Sequence, residues 1–246
     1  MMRILVGSNR RGLTTAVVAV TVGALLSLSL PAFEANAATT PAFVQVRSAV
    51  PQTAQSTVAT TFTKAQVAGD VNAVVIGWNE AAGNITSVSD SAGNLYQVAA
   101  PTTRGTRLSQ AVYYAKNIAG AAAGANTVTV RFDKAVAFAD VRILEYSGLD
   151  PASPLDVTRS AAGSAATASS GAATTGFASE LLLGAGTTDA SFTGPGSGYT
   201  SRIITNPDAD IAEDRTVTAT GSYSATAPIS GGNWVMQLVT FKAAGQ

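Results

Sequence analysis

The chain has 246 residues, 15 basic and 15 acidic, so it is neutral overall and has no electrostatic footprint for nucleic acid. It contains neither histidine nor cysteine. Those two absences exclude Ser-His-Asp and Cys-His catalysis, histidine-ligated zinc or copper, histidine pH switches and disulfides.

The first segment reads as an export leader. Arg3, Arg10 and Arg11 precede an uncharged stretch from Leu13 to Leu30, then Pro31 and the small-residue site Ala35-Asn36-Ala37. Basic, apolar and small-x-small in that order is what a translocated and cleaved signal peptide requires, which assigns 1–37 to the leader. Two other readings stay open: an uncleaved anchor of marginal length, and a twin-arginine signal carried by Arg10-Arg11. No later stretch is long and apolar enough to span a bilayer. The expected working protein is 38–246, secreted, with no membrane contact after cleavage.

This remainder keeps a net charge near −2 and is rich in Ala, Thr, Ser, Gly and Val. Only 12% of the whole chain is charged, against about 25% in ordinary soluble domains. In chain order the pattern predicts strands at 42–50, 56–64, 71–79, 84–89, 95–99, 107–117, 126–132 and 137–147. Four more follow at 177–187, 199–205, 214–224 and 233–242. The run 117–124 reads as a loop. Ser87 to Val98 reads as a hairpin, because Asp90, Gly93 and Asn94 are turn formers between two extended runs. Residues 161–176 are low in complexity and read either as a linker or as a strand of small residues. The four strands beyond them are few for an independent core, which favours one domain over two. Strands without helices predict an all-β fold: a single antiparallel two-sheet β-sandwich, jelly-roll-like. In 71–79 both alternating faces are apolar, which predicts a central strand covered on both sides.

Three phrases carry a resemblance. They are Thr86-Ser87-Val88-Ser89-Asp90-Ser91-Ala92-Gly93-Asn94-Leu95-Tyr96, Tyr114-Ala115-Lys116-Asn117 and Glu145-Tyr146-Ser147-Gly148-Leu149-Asp150. The chain resembles a family of secreted bacterial β-sandwich domains with these phrases in this order, over most of 42–243. The resemblance implies a jelly-roll-like fold, found alone or beside carbohydrate-active and adhesion modules. It implies no established activity and no site residues.

With histidine and cysteine absent, carboxylates carry any catalysis. A glycosidase needs two across a cleft, one with a raised pKa. Glu80 and Glu145 are the candidates, each ending an apolar row where desolvation would raise it. The alternative is that both reach water or pair with a neighbour such as Arg142. The densest acidic run, Asp208 to Asp214, offers Asp208, Asp210, Glu213 and Asp214 as hard oxygen ligands for calcium, the one cofactor considered. It lacks the glycine of a calcium loop and also reads as a solvated acidic loop. Adjacent Tyr113 and Tyr114 must point to opposite faces of a strand. Together with Tyr199 they are candidates for stacking on sugar rings, although most aromatics, Trp78 and Trp234 above all, belong in a core. The preferred function is a non-catalytic module binding a glycan or other extracellular surface polymer. A carboxylate-based polysaccharide hydrolase and a self-assembling surface protein are the alternatives.

Overall fold

The structure is a computed structural model that describes residues 39–246, together with Gly7 and Gly12. The leader expected at 1–37 lies outside the described residues. Contacts group Ala35–Gln246 into one compact unit. The described residues are all-β and antiparallel, without a helix.

Seventeen strands follow in order. The first half of the chain holds β1 (Ala42–Ala49), β2 (Gln55–Thr61), β3 (Val71–Trp78), β4 (Ile85–Asp90), β5 (Gln97–Gly105), β6 (Leu108–Ala115), β7 (Thr127–Val136) and β8 (Asp140–Ser147). The second half opens with β9 (Leu155–Gly163), β10 (Thr167–Ser169), β11 (Ala173–Thr174), β12 (Glu180–Thr188) and β13 (Thr200–Ile204). It ends with β14 (Ile211–Val217), β15 (Ser222–Tyr223), β16 (Thr226–Pro228) and β17 (Trp234–Lys242).

Two five-stranded sheets form the body, ordered β1-β8-β3-β6-β5 and β13-β14-β12-β17-β9. A three-stranded sheet, β2-β7-β4, and two ribbons, β10-β16 and β11-β15, complete the pairing. The alternation in β3 explains how these pieces stack. Val71, Ala73 and Val75 enter a core shared with Leu181, Leu183 and Ala185 of β12. Val74, Ile76 and Trp78 enter a second core with Val58, Val128 and Val130 of the three-stranded sheet. On β12 and β17, Leu182, Met236 and Leu238 face a third core closed by Ala168, Ala225 and Ala227. Both central strands are therefore buried on both faces, as the doubly apolar pattern of 71–79 demands.

One local expectation changes. The chain from Ser87 to Val98 is not a hairpin: β4 pairs with β7, and β5 pairs with β6. Asp90, Gly93 and Asn94 do make the turn, but it carries the chain from one sheet to another. Of the two readings of the low-complexity run 161–176, the strand of small residues holds rather than the linker: the run forms the end of β9 and the short strands β10 and β11.

The two large sheets repeat one wiring. In each half the first strand pairs with the last, the last with the central strand, and the central strand with the later member of an adjoining pair (β5-β6, β13-β14).

Candidate functional site

The carboxylates predicted from sequence do not meet. Glu145 pairs in register with Asn72 at the start of β3, whereas Glu80 lies beyond Trp78 at its end. Six residue steps along the strand from Asn72 to Trp78 separate them by roughly 20 Å, more than twice the roughly 5–9.5 Å a glycosidase uses. Glu80 instead reaches the solvent side and pairs with Lys134 at 2.9 Å. Glu145 is fully buried and accepts a 2.5 Å bond from Gln45 Nε2.

The partner that sequence reasoning missed is Asp70. Burial first, then the charge and hydrogen bond of Glu145, push the Asp70 carboxyl up to about 6. Burial likewise pushes Glu180 and Glu213 up to about 7 each. A carboxyl whose folded pKa is raised stabilises the fold fully below its unfolded pKa. That contribution disappears as pH rises through the folded value. The three groups thus define a window from about pH 4 to about pH 7.5. The expected melting temperature is lower at pH 8 than at pH 5 by roughly 3 °C or more, measurable by calorimetry. A flat profile would contradict these placements. Asp133 and Asp150, lowered chiefly by backbone hydrogen bonds, act below this window.

The acidic run is not a solvated loop and does not converge on one ion. Ile211 starts a strand here, so successive carboxylates leave on opposite faces. Glu213 Oε2 accepts from Gly196 N at 2.7 Å, while Asp214 is held bidentately by Arg202 at 2.8 Å. Asp210 is buried 3.5 Å from Arg142 Nη2, with Thr188 N donating to its Oδ1. Asp208 Oδ1 takes a 2.8 Å bond from Gln52. Among the described residues no group of three His, Cys, Asp or Glu side chains is arranged to hold a metal.

The tyrosines are also relocated. Tyr114 joins the core between the large sheets, and Tyr199 joins the third core. Tyr113 is half-buried against the second core. The opposite-face argument was sound, but both faces of β6 are covered, so neither ring is left free. Among the described residues the exposed aromatic is Phe138, 42% accessible, in the turn between β7 and β8. Its φ is 46°, a conformation that bulky side chains rarely adopt.

Phe138 stands in a cleft of about 170 Å³ at the end of β3, with Asn79, Thr188, Asp189, Pro207 and Asp208. Asn79 and Phe138 come from the first half of the chain and the rest from the second. Beneath it lies a buried charge cluster. Arg142 forms an ion pair with Asp140 at 3.0 Å and donates hydrogen bonds to the carbonyls of Gly186 and Ile211 at 2.8 and 2.5 Å. Burial raises both Asp140 and Asp210, and the charge of Asp208 adds to Asp140. Two carboxylates therefore flank one guanidinium, a third, Asp208, acts on Asp140 by its charge, and Asp208 Oδ2 is buried with no hydrogen-bond partner.

A wider groove of about 400 Å³ lies at the opposite end, lined by Gly93, Asn94, Leu95, Lys116, Asn117 and Pro151 among others. Residues of 86–96 and 114–117 line it, yet their polar groups are occupied internally. Asn94 donates to Asp90 and accepts from Ala119 N, both at 2.8 Å, and Lys116 donates to the Ala152 carbonyl. Asp90 Oδ2 also accepts from Tyr96 and Asn126 at 3.0 Å. Asn126, Gln66 and Asn72 close a ring of hydrogen bonds back to Tyr96. These residues hold the sheet-changing turn.

No family model, curated protein or solved structure matches the chain.

Proposed function

We propose that the protein is a secreted, non-catalytic β-sandwich module that binds a glycan or other extracellular surface polymer in the Phe138 cleft. The single observation that carries the reading is Phe138 itself. A large ring is held out to solvent, in a backbone conformation it disfavours, beside Asn79, Asp189 and Asp208. A flat apolar face next to amide and carboxylate groups suits a sugar ring, which presents an apolar face and a rim of hydroxyls. Unfavourable φ at an exposed bulky residue is the kind of local cost that functional sites retain. The two-sheet jelly-roll architecture belongs to this proposal. Its support is the core that β3, β6 and β8 share with β12, β14 and β17. The family resemblance and the leader-like start support export.

A hydrolase is the less favoured reading because no carboxyl raised by burial lines the cleft: Asp70, Glu180 and Glu213 lie elsewhere, and Asp140 and Asp210 are buried beneath it against Arg142. The test is retention of the purified protein on insoluble cellulose, chitin, xylan and bacterial cell-wall preparations. Selective retention is expected, and Phe138→Ala should weaken it by about tenfold or more, as truncation of a central aromatic anchor does. No retention on any of these surfaces, or retention that Phe138→Ala leaves intact, would overturn the proposal.

A further inference from the structure

The repeated wiring has a consequence at the end of the molecule that carries Phe138. Val75 pairs with Val112 and Arg142, and Ala185 pairs with Ala212 and Gln237. Both residues face the shared core, and aligning them lays β3 on 181–188 and β8 on 235–242, within the bounds of β12 and β17, so they occupy equivalent places in the two halves. Followed outward in the same register, Asn79 matches Asp189 and Phe138 matches Asn233. Followed the other way, Asp70 matches Glu180, the two buried carboxyls at the heads of the central strands. A trace survives in the sequence: Gly93-Asn94-Leu95-Tyr96 and Gly196-Ser197-Gly198-Tyr199 each lead directly into an edge strand, β5 and β13. The edges also face one another reciprocally, β5 against β9 and β1 against β13, where Arg202 lies 4.3 Å over the Phe43 ring. An approximate two-fold axis relates the halves.

The axis relates two clefts. In the first, Asn79 and Phe138 of the first half face Pro207 and Asp208, in the loop before β14. In the second, Asn233 of the second half faces Arg104, Gly105 and Thr106, in the hairpin before β6, around a space of about 390 Å³. The clefts abut through one shared wall. Asp189 lines the first and Asn233 the second, and Asn233 donates to Asp189 from its backbone and side-chain nitrogens at 2.6 and 2.7 Å.

We infer that these are two subsites of one surface, and that a linear glycan lies across both, with one unit on Phe138 and a following unit over the exposed Thr106. The inference rests on the binding reading above and adds to it the class of ligand: an internal stretch of polymer rather than a single terminal sugar. The two subsites are no longer alike. Phe138 supplies a stacking face in the first, whereas the Thr106 hydroxyl and the backbone around Gly105 line the second, the Arg104 guanidinium being turned to Ser109, Gly83 and Asn84.

Fragments of two to six units, cut from whichever panel polysaccharide retains the protein, separate this inference from the reading beneath it. Calorimetric affinity should rise by about tenfold or more between two units and the length that spans both clefts, then level off. Ser164→Trp fills the second cleft from an exposed position and touches none of the hydrogen-bonded wall. It should abolish the gain with length and leave short-fragment affinity and melting temperature unchanged. Phe138→Ala should weaken every length. Length-independent affinity, or a gain that survives Ser164→Trp, would overturn the two-subsite inference and leave the binding module standing. Failure to bind any fragment would overturn both.

Discussion

Replacing Arg142 with methionine is expected to destabilise the protein by about 3–5 kcal/mol, the usual consequence of removing one partner from a buried ionic group. The guanidinium is fully buried and touches Asp140, Asp210, Thr187 and two backbone carbonyls. Methionine fills the volume but leaves two carboxylates and two carbonyl acceptors without their donor. The damage should also depend on pH. With the cation gone, Asp140 and Asp210 hold protons more strongly, so the deficit shrinks between pH 8 and pH 5. Urea denaturation at the two pH values measures both effects. A loss below about 1 kcal/mol at pH 8 would show that the cluster does not exist as described.

Trp78→Ala should cost a similar amount, about 3–5 kcal/mol, for a different reason. Trp78 is fully buried in the second core, edge-on to Phe132 at 5.4 Å and capped on its other side by Arg104, whose guanidinium lies 5.9 Å from the ring. Alanine removes the largest side chain joining β3 to the three-stranded sheet and leaves a cavity that two strands of fixed register cannot close. Its indole Nε1 is buried without a partner, so Trp78→Phe should be much milder. The comparison with Phe138→Ala is diagnostic. That ring is exposed, and its truncation should change stability little while it changes binding. If denaturation ranks Phe138→Ala as the more damaging of the two, their roles here are reversed.

Parts of this molecule were open to reading from sequence alone. The central strands were legible because β3 carries apolar residues on both alternating faces, which only a doubly covered strand does. The turn at Asp90 was legible as a turn but not as a crossing between sheets. Local chemistry sets chain reversal, whereas the partners β7 and β6 are set by distant packing. The acidic run misled because its charges mask a strand. Asp210 and Asp214 are tolerated in the interior only through Arg142 and Arg202, and neither pairing is visible in composition. Tyr113 and Tyr114 misled for a related reason: alternation shows that two faces exist but not that both are covered. Phe138 left one faint signal, a large apolar residue placed between two strand runs. The duplicated wiring left only the Gly-x-x-Tyr echo, because register constrains which face is apolar far more than which residues supply it.

The central claim is that ligand binds at the end of β3 marked by Phe138, and backbone amide shift mapping tests it most directly. Isotope-labelled protein would be titrated with soluble fragments of the polysaccharide that retains it. The account predicts that perturbed amides cluster at Asn79, Phe138, Thr188 to Ala190 and Asp208, extending to Arg104 and Asn233 with longer fragments. Perturbations confined to Ala92 to Gln97 and Lys116 to Ala119, in the opposite groove, would contradict it.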